Sequence, residues 1–124
     1  MKLSADEFVE LVRQALADIP ESFAGYLEDV CVDVEAVPGP EACAEGGVDD
    51  PRDLLGLYMG TPLTERGVEH GGQLPDRIVL YQRNIERMCR SRREIIREIR
   101  KTVFHEVGHH FGLDEDDLAE LGFE

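Results

Sequence analysis

Apolar residues recur along this chain in two rhythms, and the switches between them divide it into elements. Phe8, Leu11, Val12, Ala15, Leu16 and Ile19 repeat at helical spacing. Ser4 with Glu7 three residues on forms a capping box ahead of them and Pro20 closes the run, so a helix is expected over 4–19. Residues 21–27 read as a helical turn. From Val30 the rhythm becomes alternation: Val30, Val32 and Val34 share one phase, and Asp33 and Glu35 the other. That is the pattern of a half-buried strand over 30–37. Residues 38–51 contain Pro38, Gly39, Gly46, Gly47 and Pro51 and read as a loop. Strands are expected at 54–59 and 78–81, separated by the irregular Gly- and Pro-rich stretch 60–76, and a short helix at 82–89. The strongest periodic run comes last. Ile95, Ile96, Ile99, Val103 and Val107 mark a helix over 91–111, with Ser91 and Glu94 as a capping box and Gly112 as a left-handed stop. Asp114 is a natural N-cap for a final short helix bearing Leu118 and Leu121.

The order α-β-β-β-α-α predicts an α+β domain, a small sheet with helices packed against it. A chain of 124 residues fits one domain, 1–124, and no repeat or linker divides it. No apolar run approaches a membrane span, and Asp6 and Glu7 interrupt any signal-like core, so a cytoplasmic protein with no membrane partner is expected. The net charge of −14 repels phosphates and argues against nucleic acid as a partner. Charge is uneven: residues 83–101 hold eight Arg and Lys against three Glu. A solvated helix face with Glu86–Arg90 and Glu98–Lys101 pairs is the expected reading, and a docking strip for an acidic partner is the other. Cys31, Cys43 and Cys89 form no CxxC pair and read as reduced thiols, with Cys31 inside the first strand.

The last long helix carries the pentad His105-Glu106-Val107-Gly108-His109, an HExxH motif. Residues four apart share a helix face, so the two imidazoles can offer ring nitrogens to one zinc ion. Glu106 sits one residue round the helix, placed to accept a proton from attacking water. A third ligand completes such a site. The longer pattern HExxHxxGxx(H/D) puts that ligand at Glu115, and Asp114 is the alternative; both also suit the first turn of a short helix. His110 points about 100° away from His109, which favours a packing role over ligation. Phe111 reads as core. Tyr58, Tyr81 and His70 are candidates for a second donor to the developing oxyanion. A peptide would pair with an exposed sheet edge, for which the third strand is one candidate.

The run HEVGHHFGLDEDDLAELG from His105 to Gly122 resembles the small bacterial zincin-like metallopeptidases, sometimes called minimal metallopeptidases. The segments Leu55-Gly56-Leu57-Tyr58, Gly60, Pro62-Leu63 and Glu65-Arg66 fit the same pattern. So do Leu74-Pro75-Asp76-Arg77-Ile78, Asn84-Ile85-Glu86 and Asp29-Val30. The resemblance runs from about residue 4 to 122. It implies a zincin-like layout, a small mixed sheet with the HExxH helix C-terminal and under it. It also implies zinc held by His105 and His109, and Glu106 as the catalytic glutamate. The third ligand position is more often Asp in relatives, and here it is Glu115. The implied activity is hydrolysis of a peptide or protein substrate by a zinc metallopeptidase. Two alternatives stand beside it: a metal-binding interaction or regulatory module with little turnover, and a hydrolase of a non-peptide amide. The larger metzincins, with a methionine turn downstream of the motif, are not the expected class.

Overall fold

The alternating segments pair into one sheet, and the two long amphipathic helices cover one of its faces. The computed structural model describes residues 1–60 and 76–120. In chain order the elements are α1 (Ala5–Ala17), α2 (Glu21–Ala24) running into a 3₁₀ turn at Gly25–Leu27, β1 (Val30–Glu35), and α3 (Pro40–Gly46). A second 3₁₀ turn at Pro51–Asp53 precedes β2 (Gly56–Met59). Then come β3 (Asp76–Tyr81), α4 (Gln82–Met88), α5 (Arg92–Phe111) and α6 (Glu115–Glu120). The fold is mixed α+β with a small sheet, as the pattern predicts. No helix among the described residues is long and apolar enough to cross a membrane.

The strand order is β1-β3-β2, with β3 parallel to β1 and antiparallel to β2. The third strand is therefore the centre of the sheet and not its edge, which corrects the expectation above. The signal was present in the residues: Ile78, Val79, Leu80 and Tyr81 form an unbroken apolar run and are all buried, as in a strand covered on both faces. Ile78 and Leu80 face α1 and α5 and join Phe8, Leu11, Val12 and Ala15 to Ile95, Ile99, Val103 and Val107 in the main core. Val79 and Tyr81 face the other way and pack with Leu54 and Leu57 against Ala42 of α3.

Helix α3 lies where a loop is expected. Pro40 opens it and Gly47, at φ 69°, closes it in the left-handed conformation. The Pro and Gly that suggested a loop are the boundary residues of a short helix. It buries Cys43 against the sheet, while Cys31 is exposed on the edge strand β1. Both serines cap their helices, but only the first box is reciprocal: Ser4 and Glu7 bond each other's backbone, whereas Ser91 accepts from the Glu94 N–H and the Glu94 carboxylate accepts from the Arg90 N–H instead.

Half of the basic stretch is tied down, with partners other than those expected. Glu86, only 3% exposed, pairs with Arg83 at 2.7 Å and not with Arg90, which lies between α4 and α5. Glu86 Oε2 also accepts from the Leu3 N–H at 2.9 Å and from the Gln82 side chain at 2.9 Å. Arg92 reaches Glu7, Arg100 reaches Asp18, and no Glu98–Lys101 bridge forms among the described residues. Burial pushes the Glu86 carboxyl up, but hydrogen bonds from Gln82, Leu3 and Arg83 outweigh it and hold the group below the ordinary carboxylate range.

Two stability predictions follow from this packing. A methyl group at Gly56 would sit 2.7 Å from Thr102 Cγ2 and 3.1 Å from the Val79 carbonyl oxygen. Gly56→Ala is expected to cost about 1–3 kcal/mol in urea denaturation, and Thr102→Ser in the same chain to recover part of it. Glu86→Ala strands the Leu3 and Gln82 donors and is expected to cost about 3 kcal/mol. Because the folded pKa of Glu86 is depressed, its contribution is present above the unfolded value and lost as pH falls through the folded one. The stability gap between wild type and Glu86→Gln should therefore narrow as pH falls from the ordinary carboxylate range through the depressed folded pKa.

Candidate active site

Helix α5 starts in the core and ends at the site. Burial of Ile95, Ile99, Val103 and Val107 fixes its rotation. That rotation sets two adjacent ridges near its C-terminal end, each made by residues four apart. His105 and His109 form one; Glu106 and His110 form the other. His105 and Glu106 are half-buried, and His109 and His110 are exposed.

Strand β2 meets the second ridge. The Tyr58 backbone N–H donates to Glu106 Oε1 at 3.0 Å. Burial pushes the Glu106 carboxyl up; the Tyr58 N–H and the nearby His109 and His105 rings offset part of that rise. The Tyr58 hydroxyl donates to Asp76 Oδ2 at 2.7 Å. Its ring stacks on His110 with centroids 3.9 Å apart and planes 15° apart, and it meets Phe111 edge-on at 6.3 Å. His110 Nε2 lies 3.7 Å from Asp76 Oδ2.

The end of α5 is a Schellman turn. Gly112 sits at φ 70°, and the Leu113 N–H reaches the Gly108 carbonyl at 2.7 Å. Asp114 then caps α6: its Oδ1 accepts from the Asp117 N–H at 2.8 Å, and Asp117 Oδ2 accepts from the Asp114 N–H at 3.0 Å. Along the side of α5 facing the start of β2 runs an open groove of about 400 Å³. Leu55, Gly56, Met88 and Lys101 line it, and it ends at His105 and Glu106.

The structure thus gathers His105, Glu106 and His109 on one end of α5. Glu115 lies exposed on the first turn of α6 with no hydrogen bond or ion pair among the described residues. No three His, Cys, Asp or Glu side chains among the described residues converge closely enough to hold a metal ion. Of the oxyanion candidates, Tyr58 already donates its hydroxyl to Asp76. Tyr81 is buried on the sheet face away from α5, which removes it from the site. His70 lies outside the described residues. Phe111 is 45% exposed and not core; it stands against Tyr26, with centroids 5.1 Å apart, at the edge of the site. Asp76 is the site residue that residue-level reasoning passed over. Its signal was a carboxylate two residues ahead of the apolar run 78–81.

The donor chemistry fits a zinc ion as far as it goes: two imidazoles one turn apart, clear of the core, beside a desolvated carboxylate. A comparison with curated proteins returns no match. Among solved structures, the chain is similar to a conserved hypothetical protein from Thermus thermophilus. The two are 26% identical with a TM-score of 0.53, and the match covers 88% of this chain and 94% of that one. The model of the zincin-like metallopeptidase family matches residues 27–123, a span that holds the whole sheet, Tyr58 and the HExxH pentad. With that match over most of its length, the chain belongs to the zincin-like metallopeptidase family.

Proposed function

We propose that this chain is a zinc-dependent peptidase in which His105 and His109 hold the ion and Glu106 is the general base. Glu115 is the proposed third ligand. Its neighbour Asp114 has one carboxylate oxygen engaged in capping α6, whereas the Glu115 side chain carries no bond among the described residues. When bound, zinc supplies Lewis acidity, polarising a carbonyl and acidifying water.

The observation that carries the reading is the state of Glu106. It is a half-buried carboxylate held by one backbone N–H beside the two imidazoles. A carboxylate in that state can take a proton from water on Oε2 while Oε1 stays bonded to Tyr58, then return it to a departing amine. The groove beside it is open, which leaves room for an extended peptide backbone. A cytoplasmic location is part of the same proposal.

A second reading is favoured by a specific observation: no third donor converges with the two imidazoles among the described residues. It makes the chain a metal-binding module with little turnover.

One set of measurements separates them. In zinc-loaded protein, Glu106→Gln should lower cleavage of a peptide library by about 10²- to 10⁴-fold while bound zinc, read by elemental analysis, is unchanged. His105→Ala and His109→Ala should each reduce zinc retained after dialysis. Wild-type protein that retains zinc and cleaves no peptide supports the module instead.

A further inference from the structure

The pentad is followed by a second histidine whose use the HExxH chemistry does not explain. His110 stands one turn beyond Glu106 on the same ridge of α5. Tyr58 touches both: its N–H reaches Glu106 at 3.0 Å and its ring lies flat on His110, centroids 3.9 Å apart. Its hydroxyl meanwhile reaches Asp76, the first residue of β3, at 2.7 Å. Register explains how one side chain manages this. Tyr58 pairs with Ile78, so Asp76, two residues along β3, lies diagonally across on the same sheet face.

Strand β2 needs such anchoring. It is four residues long and, among the described residues, bonded to a neighbouring strand on one side only, by β3. Short edge strands open readily at their ends. The Tyr58 side chain fastens that end to β3 through Asp76 and to the last turns of α5 through His110 and Phe111. The backbone N–H that meets Glu106 is thereby fixed relative to the helix that carries Glu106.

We propose that Tyr58 is a positioning residue for Glu106, with its N–H as the contact and the Asp76–Tyr58–His110 clamp as the support that holds the contact in place. The role assigned to Glu106 rests on the peptidase reading, but the clamp itself can be tested without turnover.

The test is site-resolved amide hydrogen exchange by NMR on the full chain, with the Tyr81 N–H, bonded to the Leu55 carbonyl at 2.9 Å, as the internal reference for strand integrity. Glu106→Ala should speed exchange at Tyr58 at least about tenfold and leave Tyr81 unchanged. Tyr58→Phe, which keeps the ring and loses the hydroxyl, should speed it by a few-fold; Tyr58→Ala and His110→Ala should do more; His110→Phe, which keeps the stack, should restore slow exchange. On a cleaved peptide, Tyr58→Ala should lower kcat by about tenfold or more with KM and zinc affinity unchanged. The proposal is overturned if Tyr58 exchange ignores Glu106→Ala, or if Tyr58 and Tyr81 accelerate together in every clamp variant, the mark of a merely structural residue. It is also overturned if Tyr58→Ala changes zinc affinity and KM but not kcat. Absence of any peptide cleavage by wild type would count against the peptidase reading alone, and the exchange results would still decide the clamp.

Discussion

The close apposition of β2 and α5 is the constraint on which the site depends. Gly56 leaves no space for a methyl against Thr102, and two residues later the Tyr58 N–H meets Glu106. A strand brought so near a helix must either pack apolar side chains between the two or bring backbone to the helix surface. Here the glycine permits the second arrangement, and the strand's outward N–H finds a carboxylate as its acceptor. A buried N–H left unbonded would be costly, and so would a desolvated carboxylate with no donor. Each group relieves the other, and the general-base candidate is oriented by the same bond that satisfies the strand.

The rotation of α5 is the second half of that constraint. Four aliphatic side chains one turn apart lock the helix against α1 and the sheet, and that phase decides what every other position faces. The imidazole ridge emerges toward the open groove and the Glu106–His110 ridge toward β2. Stability and chemistry therefore share one element. A core substitution at Val103 or Val107 would turn or loosen the ridges as well as weaken packing. Charge follows the same economy of placement. In an acidic chain, four of the eight cations of the 83–101 stretch are bonded: Arg83 to Glu86 and Arg87 to Asn84 within α4, and Arg92 to Glu7 and Arg100 to Asp18, which brace α5 against the N-terminal segment.

Much of this could be read from the residues alone where a local rule was sufficient. The two capping serines, the stop at Gly112 and the faces of α1 and α5 are local and periodic, and they appear where the pattern puts them. Helix α3 was hidden because a Pro-first, Gly-last helix of seven residues has the same composition as a loop. The centrality of β3 lay in its unbroken apolar run, but strand order is a property of pairing and not of any single segment. Glu86 looked like an exposed partner for Arg90 because helical spacing says nothing of the N-terminal segment that covers it. The site divides the same way. His105, Glu106 and His109 follow from a five-residue motif. Asp76 and Tyr58 are joined only by β2–β3 register, which no local window contains.

The turn after α5 sets the position of Glu115, the proposed third ligand. Gly108 lies inside the pentad, and a side chain there would press on Leu118 of α6, at 3.2 Å from its Cδ1, and on the Leu113 carbonyl oxygen at 3.4 Å. The glycine between the histidines thus lets α6 fold back against α5 at the level of the imidazoles. The Schellman turn at Gly112 sets the direction of that return, and the Asp114–Asp117 box starts α6 one residue before Glu115. Glu115 is consequently the first helical residue of α6, its backbone fixed by the cap and by Leu118 while its side chain keeps its rotamer freedom. A glutamate has one more methylene than an aspartate. The backbone can hold it farther from the imidazoles and leave the last stretch of reach to side-chain torsions, which a metal ion would be able to select.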